Sequence, residues 1–504
     1  MTTVYYGPVI NPQTLTSYLA LQRCLIVVGP DGNIAWIDEG VDRAALPETM
    51  SKHGFASSDY ALVDLQPGEF ILPGFIDTHI HACQVPNLGL GGEYELLDWL
   101  KNCTFPTEAN FSDLHYAART YPDVVRRTIT SGTTTCCYYG TIHLEATKLL
   151  ASTVREKGQR AFVGKCNMNW HCPPYYVEPS VDDSVAATVA LIEHIRGLPL
   201  TAAGEPLVHP VITPRFAISC TEELLARLGD LAKTLPDVAI QTHISENMKE
   251  VQDTLELFKE ESYAAIYDKF SLLRQNTILA HGVHLTDAEM KLVAEKRVGI
   301  SHCPTSNFHL NSGMARVGTL LDHGVKVGLG TDVSGGYHPS ILYSIQMASN
   351  ASKMLSLQAG SDGHCHMYCR RGEDRKQHEL QRPSTTQAEP GKEGRFTNKR
   401  LRAATLLYLA TMGGAEVCCL QDRIGSFEKG KAFDALVVSV RDETGNPAIW
   451  GYNPTRDLGE GQDAQDVDLP LNQWLERFLF CGDDRNIRRV IVQGTVIGGQ
   501  EFRA

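Results

Sequence analysis

Two histidines separated by one residue, His79 and His81, end an apolar run of the chain, FIDTHIH (75–81). Side chains two apart in a β-strand point to the same side, so both imidazoles of this pair can reach one ion. A lone histidine is more often structural than functional. Two histidines in register favour a metal site when they end a strand, and this strand directly follows Pro73-Gly74.

Three further residues end similar apolar runs: His243 in AIQTHIS (239–245), His281 in TILAHG (277–282) and Asp332 in KVGLGTD (326–332). If these runs are parallel strands of one barrel, their C-terminal ends meet at a shared mouth. Imidazole nitrogen and carboxylate oxygen suit zinc best, with iron(II), cobalt or manganese as alternatives. The five side chains therefore predict one ion that lowers the pKa of a bound water from 15.7 to about 7.

Hydrolysis at such an ion also needs a base and an acid. A carboxylate beside the water can take its proton, a role that suits Asp332. Glu246 lies three residues after His243, where the chain leaves the strand and can turn back over the site. We expect Glu246 to deliver a proton to the leaving side. The alternative for this residue is a solvated glutamate at the start of a helix.

Other candidate ligands fit the pattern less well. His302 also ends a strand-like run, and His284 follows His281 by three, which places it on the surface side of the next helix. Lys165 ends the third run, but a carbamylated lysine that bridges two metals normally stands at the end of the fourth strand. Thr213-Pro214-Arg215 stands there instead. The sequence therefore predicts one metal rather than two.

The elements that position these residues are repeated from Phe75 onward, where strand-like runs alternate with amphipathic helical stretches. This alternation is typical of βα units and a parallel sheet, and eight units close a (β/α)8 barrel of the TIM type. The predicted strands are 75–81, 133–140, 161–167, 209–215, 239–245, 277–282, 298–303 and 326–332. Predicted helices between them include 143–158, 182–196, 221–234 and 286–296.

The two ends of the chain differ from this pattern. Residues 1–72 and 425–504 contain short β-like runs and turns, which predict a composite β-sandwich outside a barrel domain of residues 73–424. A polar insertion interrupts the last barrel unit at about 358–399. It contains His364, Cys365, His366 and Cys369. An exposed loop with incidental histidines and cysteines is favoured over a second metal site, because nothing upstream supplies the other half of such a site.

Composition limits the class of protein. The 504 residues carry a formal net charge of -13, with 43% hydrophobic and 21% charged residues, as in ordinary globular proteins. No clustered basic stripe is present, so nucleic acid and anionic membranes are not expected partners. The N-terminus does not have the pattern of a secretory signal, and no apolar run is long enough for a spanning helix. The 14 cysteines, sparse for this length, predict free thiols and a cytoplasmic location.

The residues above also carry a resemblance to a known family. The stretches PGFIDTHIHACQ (73–84), LLDWLKNCTFPTE (96–108), ITPRFAISC (212–220), HISEN (243–247), AHGVHL (280–285), SHCPTSN (301–307), GLGTDVSGGY (328–337) and FLFCGDDRNI (478–487) resemble the guanine deaminases of the amidohydrolase superfamily. The similarity runs in order over nearly the whole chain. WLKNCTFPTE and GDDRNI are its most specific parts.

The resemblance implies one zinc ion per subunit held by His79, His81, His243 and Asp332, with His281 beside the metal-bound water. It implies that Asp332 activates this water and that Glu246 moves a proton to a purine ring. It places Gln84, Arg215 and Phe216, together with His243, Glu246 and Asp332, against guanine as substrate. It also implies a homodimer.

Two alternatives stay open at this point. The nearest is another hydrolase of the same superfamily, acting on cytosine, 8-oxoguanine or a chlorinated triazine. The other is a non-catalytic scaffold on a decayed barrel, although such proteins typically lose ligands and every expected ligand is present here. The stretches 167–176 and 358–399 depart from the family pattern, which leaves partner contacts and regulation open.

Overall fold

The computed structural model describes residues 1–361, 394–458 and 469–503. Most of the predicted insertion at 358–399, including His364, Cys365, His366 and Cys369, lies outside the described residues. Of its flanks, residues 358–361 end a long helix and residues 394–399 form turns. There, the backbone nitrogens of Phe396 and Thr397 donate to the carboxylate of Asp322.

The strands are numbered in chain order. Those before the barrel are β1 (Thr2–Thr14), β2 (Ser17–Val28), β3 (Ile34–Glu39), β4 (Tyr60–Asp64) and β5 (Glu69–Pro73). Those of the barrel are β6 (Phe75–His81), β7 (Thr133–Tyr139), β8 (Arg160–Gly164), β9 (Cys166–Asn167), β10 (Val208–Pro214), β11 (Ala239–Ile244), β12 (Thr277–His281), β13 (Gly299–His302) and β14 (Lys326–Leu329). The last three are β15 (Ala435–Ser439), β16 (Ile487–Val492) and β17 (Thr495–Gly498).

The helices lie mainly between the barrel strands. The first group is α1 (Leu46–Lys52), α2 (Leu96–Trp99), α3 (Phe105–Ala109), α4 (Leu114–Thr130), α5 (Leu144–Lys157), α6 (Val181–Arg196), α7 (Glu222–Thr234), α8 (Met248–Phe258) and α9 (Tyr263–Lys269). The second is α10 (Asp287–Glu295), α11 (Pro304–His309), α12 (Val317–Asp322), α13 (Ile341–Ser361), α14 (Ala403–Ala410), α15 (Met412–Val417), α16 (Pro454–Asp457) and α17 (Leu471–Cys481). Among the described residues, no helix combines the length and the apolar character needed to cross a membrane.

Local signals in the sequence explain where the predicted helices begin and end. Thr221 caps α7 by accepting a hydrogen bond from the backbone nitrogen of Leu224, and Thr286 forms a reciprocal capping box with Glu289 at the start of α10. Gly158 ends α5 in the left-handed conformation, with a φ of 77°, that suits glycine. All four predicted helices are present.

All eight predicted barrel strands form one parallel sheet in the order β14-β13-β12-β11-β10-β8-β7-β6, with β9 as a short extension that pairs with β10. Hydrogen bonds next to the metal-binding candidates join the two ends of this sheet. The backbone nitrogen of Asp332 donates to the carbonyl of His79 at 2.8 Å, and that of His81 to Val333 at 3.1 Å. The prediction of a TIM-type barrel is confirmed.

The two chain ends join, as predicted, and their strands form one continuous eight-stranded sheet of mixed direction. The reason lies in the length of β1, which pairs with β4 over residues 2–6 and meets β5 at Val9. A bulge at Gly7, whose φ is 140°, lets one strand change neighbours. The expected domain boundary near residue 72 falls inside β5, directly before the first barrel strand.

A buried ion pair links this sheet to the barrel. Arg160, the first residue of β8, donates from Nε to Oδ2 of Asp434 at 2.9 Å and from Nη2 to Oε1 of Gln493 at 3.1 Å. Both charged side chains are at most 3% exposed. The backbone nitrogen of Gln493 completes the network by donating to Asp434 at 2.7 Å.

We expect Asp434→Ala to lower the free energy of unfolding by about 3–5 kcal/mol, because Arg160 would be left buried without its counter-charge. Denaturant titration of the variant measures this loss. The control is Asp123→Ala, which breaks a pair with Arg126 in which both side chains are more than 60% exposed; it should cause no measurable change. Equal stability of both variants would contradict the role given to Asp434.

Candidate metal centre and active site

Five side chains predicted as a metal site meet at the C-terminal mouth of the barrel. Nε2 of His79 and Nε2 of His81 lie 3.0 and 3.4 Å from Oδ1 of Asp332. Nε2 of His281 lies 3.6 Å from Oδ2 of the same carboxylate. Nε2 of His81 is 3.1 Å from Nε2 of His243. One ligand atom from each of His79, His243, His281 and Asp332 falls within 4.8 Å of the others, so His281 competes geometrically with His81 for a place in the ligand set.

The hydrogen bonds of these rings fit a cation. Nδ1 of His243 donates to the carbonyl oxygen of Arg215 at 2.6 Å, so Nε2 carries the lone pair that faces His81. Nδ1 of His281 likewise donates to Oδ1 of Asn307 at 3.0 Å. Nδ1 of His79 is buried without a hydrogen-bond partner among the described residues, and its Nε2 faces the carboxylate of Asp332. Lone pairs that converge in a buried space are the donor set of a metal ion, and partners on the far ring nitrogen fix each ring's orientation.

Burial also keeps the rings in the form that binds metal. It lowers the pKa of His79, lowers that of His81 to about 4 and holds that of His243 well below its usual value. A neutral imidazole is the ligand form of histidine. Nitrogen ligands with one carboxylate match zinc, and the residues present therefore fit the single ion that the sequence predicts.

The backbone at the ends of three strands adopts the left-handed conformation that is uncommon outside glycine. The φ angles of Ser245, His281 and Asp332 are 48°, 75° and 46°. Such residues cost about 1–3 kcal/mol each and concentrate at functional sites. Here they turn the chain sharply at the strand end, which places the His281 and Asp332 side chains over the mouth.

The two carboxyl groups at the site differ in their readiness to ionise. Burial alone would raise the pKa of Asp332, but the imidazoles of His79 and His281 outweigh burial and hold this pKa well below its usual range. Burial, reinforced by the charge of Asp332, raises the pKa of Glu246 well above its usual range. Neighbouring carboxyls with opposite shifts are suited to act as base and acid. Oε2 of Glu246 lies 3.3 Å from Nε2 of His281.

A pocket opens from the metal-binding candidates toward the loops above the barrel. Its walls include all three predicted base contacts, Gln84, Arg215 and Phe216. The apolar part is supplied by the segment that follows the first barrel strand and by the loop after β13. The lining residues are His81, Gln84, Leu96, Trp99, Leu100, Arg215, Phe216, His243, Glu246, Leu310 and Asp332.

Glu108 belongs to the site although sequence reasoning did not select it. Its carboxylate is fully buried and accepts hydrogen bonds from Nη1 of Arg215 at 2.7 Å and from Nε2 of Gln84 at 2.8 Å. Burial would raise the pKa of Glu108, but the Arg215 guanidinium outweighs this and the pKa lies below its ordinary value. The signal was present in WLKNCTFPTE, one of the two stretches most specific to the family, which ends in this carboxylate.

The structure separates the competing candidates from the centre. His302 lines a different cavity, with Ala315 and Ala348, and burial lowers its pKa to about 3. His284 is half-buried rather than on the surface side of α10, and its Nε2 lies 2.8 Å from the carbonyl oxygen of Ser312. Lys165 is buried in an ion pair with Glu178. Neither of the two histidines is among the residues grouped as a possible metal site in the described chain.

The Amidohydrolase family profile matches residues 70–368 and 385–497. The chain belongs to the amidohydrolase family. Within it, a guanine deaminase of Dictyostelium discoideum is 40% identical over 98% of both chains, and the human guanine deaminase is 34% identical over 97% of this chain and 95% of the relative. A probable guanine deaminase of Schizosaccharomyces pombe is 40% identical over 94% of this chain and 80% of the relative.

Solved structures are also similar to this chain. A guanine deaminase from C. acetobutylicum with guanine bound in its active site superimposes with a TM-score of 0.79 at 31% identity, over 99% of this chain and 100% of the other. A zinc-bound adenosine deaminase from Xanthomonas campestris, at 20% identity and a TM-score of 0.72 over 98% of this chain and 92% of the other, shares the amidohydrolase fold.

Removal of metal should lower both activity and stability, because the buried ring nitrogens lose the cation that they face. For a ligand present at a thousand times its Kd, the loss is about 4 kcal/mol. Chelation followed by thermal unfolding measures it, and stoichiometric zinc should restore the melting temperature.

Variants distinguish this site from non-specific binding. We expect His243→Ala to bind less than one metal ion per chain by mass spectrometry. The matched control, His302→Ala, removes a buried histidine that lies at a strand end outside the cluster and should retain one ion. Full metal content in His243→Ala would refute the ligand set.

Proposed function

We propose that this protein is a guanine deaminase that hydrolyses the C2 amino group of guanine to give xanthine and ammonia. The observation that carries the proposal is that the metal-binding cluster lines the same pocket as Gln84 and Arg215. We call these two residues the base readers, because they are expected to hydrogen-bond to the edge of the base. The relatives named above support the choice of substrate. We further propose zinc as the ion, one per subunit, with His79, His81, His243 and Asp332 as its ligands.

The chemistry follows from the positions of the side chains. When bound, zinc supplies a water whose pKa is close to neutrality. Asp332, with its low pKa, is ionised and takes a proton from that water, while His281 hydrogen-bonds beside it. Glu246, with its raised pKa, donates a proton to a ring nitrogen next to C2 and so makes C2 more electrophilic. The water oxygen bonds to C2, and Asp332 passes the proton that it took to the amino nitrogen, so that the bond from C2 to this nitrogen breaks and ammonia leaves. The remaining hydroxyl proton returns to Glu246 as the C2 carbonyl forms, and the ring nitrogen keeps its proton in xanthine.

Recognition of the base depends on hydrogen-bond donors. The Arg215 guanidinium can donate to the O6 carbonyl of guanine, whereas adenine carries an amino group at that position. A buried donor that loses its acceptor rejects the wrong base by about 10⁴-fold or more. Phe216, whose ring centroid lies 6.2 Å from that of His243, offers an apolar surface on which the purine stacks.

Four broader features belong to the same proposal. We place the barrel domain at residues 73–424 and the composite domain at 1–72 and 425–504. The resemblance to the guanine deaminases supports a homodimer, and the free cysteines of the described residues support a reducing, cytoplasmic setting. Guanine is the expected partner, with no nucleic acid or membrane.

Purified protein should consume guanine, followed as the loss of guanine absorbance, and should leave adenine unchanged, with kcat/KM values at least about 10⁴-fold apart. A metal count on the same sample links activity to the ion. Strong turnover of cytosine, 8-oxoguanine or a chlorinated triazine in place of guanine would reassign the substrate. Metal-free, inactive protein from a zinc-replete preparation would favour a scaffold.

Glu246→Gln should keep its metal and lose about 10²–10⁴-fold in kcat, because a positioned proton donor is removed. Steady-state kinetics with a metal count measure both quantities. Glu250 is a suitable control, since it is buried nearby but accepts hydrogen bonds from the backbone nitrogen of Glu246 and from Tyr263; Glu250→Gln should cost much less. Full activity in Glu246→Gln would refute the assignment.

A further inference from the structure

Glu108 has no part in the chemistry described above, yet it contacts both base readers. Oε1 accepts a hydrogen bond from Nε2 of Gln84 at 2.8 Å, and Oε2 accepts from Nη1 of Arg215 and from the hydroxyl of Tyr176, each at 2.7 Å. The carboxylate is 0% exposed. These three contacts bring together the loops that follow the first, third and fourth barrel strands.

The contact with Glu108 fixes which way the Gln84 amide faces. A carboxylate only accepts, so the amide nitrogen must point toward it. The amide oxygen then faces the opposite way and accepts from the backbone nitrogen of Ser334 at 3.1 Å. Neither interaction survives a flip of the amide. Because the amide oxygen and one N–H already have protein partners, the second N–H of Gln84 is the group available to a ligand.

Arg215 is fixed in the same manner. In the described part of the chain, its side chain makes one protein hydrogen bond, through Nη1 to Glu108. Its guanidinium lies over the ring of Phe105 at 5.2 Å. The remaining N–H groups are donors, and a guanidinium has no acceptor. Both readers therefore present N–H groups to the pocket, and an amino group on the ligand meets no acceptor from either.

We propose that Glu108 is a positioning residue that fixes Gln84 as a hydrogen-bond donor and holds Arg215, which can only donate, in place, and thereby sets the selectivity of the pocket for a base edge with a carbonyl over one with an amino group. The inference rests on the proposed function and adds a determinant of its specificity. A buried ion pair contributes little net stability, so the effect of this pair lies in the geometry that it fixes.

The test compares Glu108→Gln with Glu178→Gln. Glu178 is the matched control, because it is also a buried carboxylate paired with a cation, Lys165, and does not line the pocket. Guanine and 2,6-diaminopurine are the two substrates, since the latter keeps the 2-amino group and replaces O6 with an amino group. Each variant is assayed as the metal-loaded full chain.

We expect Glu108→Gln to raise KM for guanine by about 10–100-fold, with a smaller change in kcat, because the free energy of a hydrogen bond to a charged group corresponds to a factor of this size. The ratio of kcat/KM for guanine over 2,6-diaminopurine should fall by a similar factor. Glu178→Gln should lower the melting temperature and leave KM and this ratio within about two-fold of the original chain. Loss of stability in Glu108→Gln, with KM and the ratio unchanged, would overturn the inference.

Two further measurements keep the inference separable from folding and from the proposed reaction. If Glu108→Gln does not fold, Glu108→Asp retains the charge but shortens the side chain, and it should show the same rise in KM to a smaller extent; an unchanged KM overturns the proposal. Binding of xanthine, followed by the fluorescence of Trp99 in the pocket wall, requires no turnover. Inactivity of the original chain on guanine would overturn the proposed function, whereas equal xanthine affinity with and without Glu108 would overturn this inference.

Discussion

The site depends on the approach of groups that repel each other unless a cation lies between them. Nε2 of His81 and Nε2 of His243 are 3.1 Å apart, and the hydrogen bond of His243 to Arg215 assigns the lone pair of its ring to this contact. Burial removes the water that would otherwise solvate these atoms. The barrel holds them together because each stands at or just beyond the end of a strand whose position is set by the whole ring of βα units.

In the proposed function, Arg215 joins metal binding to base recognition. Its carbonyl oxygen accepts from the His243 ring at 2.6 Å, while its guanidinium reaches the pocket and pairs with Glu108. A shift of this residue would therefore alter the orientation of a ligand and the recognition of the substrate together.

Much of the fold could be predicted because its signals are local. The strand FIDTHIH (75–81) and the helix at 143–158 are predicted from an apolar run and an amphipathic stretch, patterns that require no knowledge of distant contacts. The barrel followed from counting units. The site followed from the rule that barrel enzymes place reactive groups at C-terminal strand ends, which brought His79, His243 and Asp332 together.

The features that could not be predicted from the sequence depend on contacts between residues that are distant in sequence. Glu108 and Arg215 are 107 residues apart, and nothing in either neighbourhood indicates their pairing. His284 was placed on the surface because its partner, the carbonyl of Ser312, comes from a loop of no regular pattern. The single terminal sheet depends on a bulge at Gly7, at which β1 exchanges one neighbour for another.

The sheet built from both chain ends has a consequence for biosynthesis. β5 pairs with β15 through Pro73 and Ala435, so its edge stays open until the ribosome has added about 360 more residues, which takes on the order of 20–70 s at about 5–20 residues per second. An apolar strand edge exposed for that time can pair with the strand of another nascent chain. Newly made protein is thus most vulnerable to aggregation before its last 70 or so residues emerge, and chaperone binding to the N-terminal strands would protect it during that interval.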